Sequence, residues 1–263
     1  MTESTDQSHR AFVGPIENYD VSGALQFNLL TSLGLRSSHR LLDVGCGSLR
    51  AGKLFIPFLE ADNYHGIEPE NWLLDKAIEF EIGKDLVALK RPKFNNDSNY
   101  TFSLFNTEFD FIVAQSIFSH AAQTSIERAF LETKQCLAEN GLLAATFMLG
   151  TENYTGDKWV YPGCVTYTEA HIQALANQAD LEATKLDWPH PNGQTWFAIT
   201  HPDKNSMLPK TLGGNERLRL EQRIDFLQKR IEKYQSHPYV KFGMQVNVIL
   251  QPLFSLIRKL IGK

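Results

Sequence analysis

The sequence predicts an α/β protein with a doubly wound, mostly parallel sheet of seven strands, an antiparallel C-terminal hairpin and a C-terminal helical extension. Three observations predict this class. Short apolar runs alternate with helical stretches, a glycine-rich turn follows the first apolar run, and two strand-like segments flank a Pro/Asn/Gly turn near residue 190. Runs that are apolar on both faces are typical of parallel strands covered by helices on both sides of the sheet.

The first elements precede and follow the glycine turn. A helix is predicted over Asp20–Leu35 because four leucines share one of its faces, and Gly34 marks its end. A strand over Arg40–Val44 leads into the turn. Ser48 is expected to cap the next helix, which Pro57 shortens.

The remaining elements alternate in the same way until the C-terminal hairpin. In chain order they are strand Tyr64–Pro69, helix Trp72 to about Leu89, strand Phe109–Ser116, helix Thr124–Leu137, a turn at Asn140-Gly141, strand Leu142–Leu149, helix Thr168–Gln178 and two strands around the turn Pro189–Gly193. A turn this short joins only antiparallel strands. The hairpin therefore closes an otherwise parallel sheet.

Composition and charge limit the compartment and the partners. The chain of 263 residues has a net charge of −4 and a pI near 6.1, and no basic stripe with interleaved aromatic residues, so no nucleic-acid partner is expected. Three cysteines without CxxC pairing favour a reducing compartment, and no metal-ligand spacing occurs, so no metal is expected. A polar N-terminus and the lack of an apolar run of about eighteen residues predict a cytoplasmic protein.

We expect three segments along the chain: a disordered N-terminus over residues 1–10, one globular domain over 11–203, and a helical extension over 204–263. In the extension, apolar residues between 215 and 235 follow heptad spacing, typical of a short coiled coil. The tail from 240 to 263 is basic and amphipathic. Two interpretations stay open for residues 215–263: peripheral contact with the inner face of an anionic membrane, or self-association.

The glycine turn LLDVGCGSLRAG (Leu41–Gly52) predicts a ligand site. A strand that ends in D-x-G-x-G and opens onto a helix lets the backbone approach a ligand closely. The predicted contacts are Asp43, Gly45, the backbone of Cys46, and Gly47. Both dinucleotides and S-adenosylmethionine bind to turns of this kind.

Two further residues bear on the choice between these ligands. Arg50 occupies the third position of the dinucleotide fingerprint G-x-G-x-x-G, where a long side chain obstructs helix–strand packing. We expect Arg50 itself to be a surface or packing residue. Glu68 follows Gly45 by 23 residues, a spacing that suits an acid bound to two ribose hydroxyls in either ligand class. The closing hairpin favours the methyl donor.

With these motifs the sequence resembles the class I S-adenosylmethionine-dependent methyltransferases. LLDVGCGSLRAG is similar to their first motif, YHGIEPE to their second, FDFIVAQSIFSH to their fourth strand and its loop, and ENGLLAATF to their fifth strand. The resemblance covers about Leu25–Thr200. It lacks the Asp-Ala pair that the family often has after its third strand, where only Asn95, Asn96 and Asp97 occur, so the adenine contact stays unassigned.

The resemblance implies a Rossmann-like fold, S-adenosyl-L-methionine as cofactor, and Gln115 and Ser116 beside its methionine part. His120 is either a general base or a histidine packed under the cofactor loop. Aromatic and histidine side chains suit an acceptor pocket, with core packing as the alternative for them. The candidates for this pocket are Tyr19, Trp159, Tyr161, His190 and Trp196.

The leading hypothesis for function is O-methylation of a small molecule or glycan. The glycan suggestion rests on the tail, which looks similar to the tails of bacterial surface-polysaccharide enzymes. One alternative is a scaffold or regulator that binds S-adenosylmethionine without transferring its methyl group. The other is an NAD(P)-dependent oxidoreductase, which the mismatch at Arg50 disfavours.

Overall fold

The computed structural model describes residues 8–204, 208, 209, 212 and 227–229. The chain divides into two units, Met1–Leu212 and Gly213–Lys263, and all helices and strands named below lie in the first. The predicted heptad helix and basic tail lie outside the described residues, apart from 227–229, which are helical. No helix in the described part of the chain is long and apolar enough to cross a membrane.

One sheet of seven strands organises the first unit, with the order β3-β2-β1-β4-β5-β7-β6. The strands are β1 (Leu41–Val44), β2 (Tyr64–Ile67), β3 (Lys93–Asn95), β4 (Phe109–Ala114), β5 (Leu137–Phe147), β6 (Glu182–Leu186) and β7 (Thr195–Thr200). Strands β1 to β5 pair in parallel, whereas β7 is antiparallel to both β5 and β6. The predicted mostly parallel sheet with a C-terminal hairpin is confirmed.

Between residues 8 and 204, seven α-helices accompany the sheet. They are α1 (Ser8–Phe12), α2 (Tyr19–Ser32), α3 (Gly52–Phe58), α4 (Asn71–Ala77), α5 (Lys84–Lys90), α6 (Gln123–Cys136) and α7 (Glu169–Gln178). Two hydrophobic clusters cover the two faces of the sheet. Successive residues of a strand point to opposite faces, and successive residues of β1 belong to different clusters. Leu41 belongs to the cluster that contains Leu29 of α2 and Phe55 of α3, whereas Leu42 belongs to the one that contains Phe130 of α6 and Ile172 of α7. The sheet is therefore doubly wound, as predicted.

The stretch predicted to be helical from Trp72 to about Leu89 is helical, but it is not one continuous α-helix. The segment instead contains α4, a π-helical turn over Ile78–Ile82 and α5. Gly83 separates the last two, because its φ of 77° is incompatible with a continuous helix.

The turn predicted at Asn140-Gly141 is also wrong, because both residues lie inside β5. The pairing of β5 with β4 is irregular between Phe109 and Phe111. A Cβ atom at Gly141 would lie 2.9 Å from the carbonyl oxygen of Phe109, so this glycine permits close contact between two strands.

Residues 8–10 lie in α1, and the prediction of disorder is wrong for these residues. His9 is 2 % exposed, and its Nε2 lies 2.9 Å from Oε1 of Glu81. Arg10 donates from Nη2 to Oε2 of the same carboxylate at 2.8 Å, and Lys53 lies 3.2 Å from it. Burial favours a higher pKa for the Glu81 carboxyl, but the hydrogen bonds from Arg10 and His9 and the charge of Lys53 lower it overall.

Ser48 does not cap the helix that follows the glycine turn, contrary to expectation. The N-cap of α3 is Ala51, without a side-chain hydrogen bond. The Ser48 hydroxyl lies instead 3.1 Å from the Tyr19 hydroxyl, inside the protein. Helix α3 ends at Phe58, one residue after Pro57, in agreement with the prediction that proline shortens it.

Candidate functional site

The candidate site lies at the carboxyl edge of the sheet, where β1, β2 and β4 end side by side. The turn after β1, Glu68 after β2 and Gln115 after β4 meet at this edge. One cavity is lined by Val13, Gln26, Asp43, Gly45, Cys46, Gly47, Arg50, Ala51 and Gln115. Five of the seven predicted cofactor residues therefore share one cavity. Of the other two, Glu68 is hydrogen-bonded to Gly47 of the cavity wall, and Ser116 follows Gln115 in the chain.

Two glycines of the turn have no room for a side chain. Gly45 has φ 67° and Gly47 has φ 56°, both in the left-handed region. A Cβ at Gly45 would lie 2.1 Å from Cδ1 of Ile117, and one at Gly47 would lie 2.9 Å from Cγ1 of Val13. Leu49 has φ 55° as well, which is rare for a large side chain, and its side chain is fully buried.

Glu68 connects the end of β2 to the glycine turn. Its Oε2 accepts the Gly47 N–H and its Oε1 accepts the Glu70 N–H, both at 2.9 Å. The side chain is buried, which raises its pKa, while the two N–H groups oppose this shift. Each oxygen retains a second acceptor position for a ligand.

Asp43 is the buried acid of the turn. It is 4 % exposed and accepts a hydrogen bond from the Tyr64 hydroxyl at 2.8 Å. Burial raises its pKa to about 6, although the Tyr64 hydroxyl and the charge of Arg50 act in the opposite direction. Burial and the carboxylates of Asp43 and Glu68 raise the pKa of the Cys46 thiol well above its ordinary value, so the thiol is protonated and unreactive at neutral pH.

Gln115 contributes a polar atom without a partner. Its Nε2 lies 3.2 Å from Nε2 of His190. Burial, and secondarily the charge of Arg50, lowers the pKa of His190 to about 4, so its ring is neutral at pH 7. Oε1 of Gln115 is buried and has no hydrogen-bond partner within the described residues. Such an atom is typical of a site that completes its hydrogen bonds with a ligand.

Ser116 is committed to other contacts. Its N–H donates to Oγ1 of Thr146 at 2.7 Å, and its hydroxyl accepts from Nε2 of Gln194 at 3.1 Å. It has φ 59° and does not line the cavity. The backbone N–H of Ser116 is therefore occupied by Thr146, whereas its hydroxyl still has a hydrogen to donate.

Arg50 lines the cavity, contrary to the expectation of a surface or packing residue. Its Nη1 donates to the carbonyl oxygen of Val13 at 2.9 Å, and burial lowers its pKa. The close helix packing comes from α2 instead: a Cβ at Gly23 would lie 2.3 Å from the Arg50 carbonyl oxygen. The position of Arg50 in the cavity was not predicted, because the fingerprint indicates only that a long side chain is unfavourable at this position.

Trp159 and Tyr161 belong to a group of exposed aromatic side chains, which we call the aromatic cluster (Phe12, Trp72, Trp159 and Tyr161). Their exposed fractions lie between 37 % and 50 %. Phe12 contacts Trp72 and Tyr161, with ring centroids 5.2 and 5.9 Å apart. The Tyr161 hydroxyl donates to the Phe12 carbonyl oxygen. Phe12 and Trp72 escaped sequence reasoning because each is isolated in the chain.

His120 connects to this cluster. Its ring centroid lies 5.4 Å from that of Trp159 and 5.2 Å from that of Tyr161. Nδ1 lies 3.0 Å from the Val160 carbonyl oxygen and 2.6 Å from that of Gly163. Because carbonyl oxygens only accept, Nδ1 carries the hydrogen, and Nε2 is the nitrogen able to accept a proton.

Two of the candidates for the acceptor pocket, Tyr19 and Trp196, are core residues, in agreement with the alternative of core packing. Tyr19 is 1 % exposed, and its hydroxyl donates to the Ser48 carbonyl oxygen at 2.8 Å, so it supports the turn from behind. Trp196 is fully buried in β7. His190 contacts both Gln115, which lines the cavity, and the ring of the buried Trp196. No group of three or more potential metal ligands occurs in the part of the chain that the structure describes.

No protein-family model and no curated protein sequence matches this chain. Solved structures do. DesVI from Streptomyces venezuelae is 16 % identical with a TM-score of 0.54, over 76 % of this chain and 99 % of its own. A SAM-dependent methyltransferase from Leishmania major is 21 % identical with a TM-score of 0.55, over 72 % and 76 %.

A third similar structure was solved with a bound reaction product. It is the magnesium protoporphyrin IX methyltransferase ChlM from Synechocystis with bound SAH, which is 12 % identical with a TM-score of 0.54, over 75 % of this chain and 95 % of its own. At these identities the likeness concerns the fold. The sheet order and these neighbours together show that the chain has the fold of the class I S-adenosylmethionine-dependent methyltransferases.

Proposed function

We propose that this protein is an S-adenosylmethionine-dependent methyltransferase that methylates a hydroxyl group on a ring-shaped small molecule or glycan. The observation that carries the proposal is the cavity at the carboxyl edge of the sheet, where two positive-φ glycines lie beside the buried acid Asp43 and the unpartnered Oε1 of Gln115. Structures of the same fold were solved with S-adenosylmethionine or its product.

The residues present fit this cofactor. Gly45 and Gly47 allow close approach to the backbone, and Glu68 has acceptor positions for ribose hydroxyls. Asp43 is a buried anion suited to a cationic group. Oε1 of Gln115 can accept a hydrogen bond from a donor on the ligand. When bound, the cofactor supplies a methyl group on a positively charged sulfur, which is already a good leaving group. The protein has mainly to align the acceptor, which is worth up to about 7–11 kcal/mol in ideal cases.

The aromatic cluster supports a ring-shaped acceptor. Its four side chains come from α1, α4 and the segment after β5, and they remain exposed at one connected surface. Flat aromatic side chains pack against aryl rings or the apolar faces of sugars, and each such contact is worth about 0.5–1.5 kcal/mol.

His120 is suited to remove the proton of the acceptor hydroxyl. Its Nδ1–H is held by two carbonyl oxygens, which leaves Nε2 as the basic nitrogen beside the aromatic cluster. A positioned base typically adds about 10²–10⁴-fold to the rate.

Two substitutions separate this role from packing. The amide nitrogen of His120→Asn can replace Nδ1 and preserve its hydrogen bonds, but this variant lacks Nε2. We expect normal thermal stability and a fall in kcat of about 10²-fold or more. His120→Gln, which cannot preserve both carbonyl contacts, should lose stability as well. Unchanged kcat in a folded His120→Asn variant would assign the histidine to packing.

The activity itself is tested with S-adenosylmethionine that carries a deuterated methyl group, incubated with the full chain and a panel of phenols and glycosides. Mass spectrometry should find one labelled methyl group on a hydroxyl oxygen of at least one acceptor. Binding of the cofactor without transfer to any panel member or to fractionated cell extract would favour a scaffold or regulator. Binding of NADH instead would favour an oxidoreductase.

A further inference from the structure

We propose that Arg50 binds the carboxylate at the amino-acid end of the cofactor, an inference that rests on the proposed function. The side chain lines the same cavity as the glycine turn, Asp43 and Gln115. The fingerprint of the sequence gives this residue no ligand role, so the inference comes from its surroundings in the structure.

The guanidinium of Arg50 forms no ion pair within the described part of the chain, although the charge of Asp43 acts on it from a greater distance. Its one hydrogen bond goes to the neutral carbonyl oxygen of Val13, at 2.9 Å. No ion pair within 4.0 Å joins it to an acid there, whereas other arginines, such as Arg10 and Arg91, have carboxylate partners. Arg50 is only partly exposed to water, and a partly buried cation without an ion-pair partner is costly; an anionic ligand group offsets that cost.

The pairing of charges in the cavity points to a zwitterion. Asp43 and Arg50 line the same cavity, yet they form no ion pair with each other. An anion and a cation held apart in this way complement an α-amino acid group, with its ammonium and its carboxylate. In S-adenosylmethionine this carboxylate is the only anionic group, so it is the natural partner for Arg50.

Arginine also has the geometry for this contact. The guanidinium has five N–H donors in a planar fork, and the Val13 carbonyl accepts from only one of its nitrogens. Planar carboxylates accept two parallel hydrogen bonds from such a fork. The bond to Val13 holds the side chain in the cavity and leaves the remaining donors for the ligand.

The test compares two ligands that differ at the amino-acid end. S-Adenosylhomocysteine carries the carboxylate, whereas 5′-methylthioadenosine has the same nucleoside and thioether but no amino-acid group. Calorimetry gives the dissociation constants of both for the wild-type protein and for Arg50→Gln. We expect the substitution to raise the dissociation constant of S-adenosylhomocysteine by about 10- to 100-fold, as for a lost charge-assisted hydrogen bond. The dissociation constant of methylthioadenosine should stay unchanged.

Arg50→Lys serves as the second variant, since it keeps the charge and loses the fork; it should show a smaller loss, again confined to S-adenosylhomocysteine. Arg36→Gln is the matched control, because Arg36 is an exposed arginine whose Nη1 donates only to backbone carbonyl oxygens. Equal weakening of both ligands, or no change in either, in folded Arg50 variants would overturn the inference. Failure of the wild type to bind S-adenosylhomocysteine would overturn the proposed function as well.

Discussion

The two sides of the candidate site are built from opposite kinds of surface. On the cofactor side, Asp43, Glu68 and Gln115 are polar, at most 7 % exposed, and held by hydrogen bonds. On the acceptor side, the aromatic cluster is at least 37 % exposed and offers mainly flat apolar faces. Buried polar groups discriminate strongly between ligands, because a wrong ligand leaves them unpaired. Exposed rings tolerate a wider range of partners, which is why the cofactor is more narrowly defined than the acceptor.

The largest expected effect comes from filling the cavity on the cofactor side. In Gly47→Arg the new side chain enters a turn with φ 56°, where a Cβ already meets Val13 at 2.9 Å. We expect binding of S-adenosylhomocysteine to fall by more than about 100-fold, since the contact with the backbone is lost. Gly193→Arg is the matched control, because its φ is 71° and no atom lies within 4 Å of the added Cβ. Comparable binding losses in the two variants would show that backbone strain, and not the cavity, is responsible.

The buried polar character of the cofactor side predicts a pH dependence of stability. Because burial raises the pKa of Asp43 to about 6, the folded protein holds this proton more tightly than the unfolded chain. The contribution of Asp43 to stability is therefore greatest below about pH 4 and declines as the pH rises through 6, by about 3 kcal/mol in total.

Denaturant unfolding gives the free energy of unfolding of the wild type and of Asp43→Asn at several pH values. The decline appears as a change with pH in the difference between these two free energies. Asp62→Asn is the control of opposite sign. The Arg91 guanidinium lowers the pKa of the exposed Asp62, so its contribution should grow as the pH rises. A difference between the wild type and Asp43→Asn that is constant from pH 4 to 7 would contradict the assigned burial of this acid.

The smallest expected effect lies on the acceptor side. Trp159→Ala removes one exposed ring of the aromatic cluster, and we expect KM for the acceptor to rise by about three- to tenfold with the affinity for S-adenosylmethionine unchanged. Leu131→Ala, an equally exposed apolar side chain on α6, should alter neither quantity. If Trp159→Ala weakened the affinity for S-adenosylmethionine as much as it raised KM for the acceptor, the proposed separation of a cofactor side from an acceptor side would be wrong.

Much of the fold was predictable because its signals are local in the sequence. Apolar runs predict buried strands, and the turn at Pro189–Gly193 predicts an antiparallel hairpin, since both depend on neighbouring residues. The predictions failed where distant contacts decide the structure. Asn140-Gly141 resembles a turn, yet both residues lie within β5, where its pairing with β4 is irregular. Ser8–Arg10 resembles a disordered terminus, yet it is ordered by Glu81, more than 70 residues away.

The same distinction holds for the site. The residues in the glycine motif and at strand ends were predictable, because parallel strands bring their carboxyl ends to one edge. Phe12 and Trp72 were not, because their contact depends on where the N-terminal segment lies. Arg50 was visible in the motif, but the close approach of α2 to its backbone, which Gly23 permits, was not.

Cofactor binding is tested most directly by isothermal titration calorimetry of the full chain with S-adenosylhomocysteine and, in parallel, with NADH. We predict saturable binding of S-adenosylhomocysteine at one site per chain and no heat of binding with NADH. The absence of S-adenosylhomocysteine binding by folded wild-type protein, or saturable binding of NADH in its place, would contradict the assignment of the cavity at the glycine turn to the methyl donor.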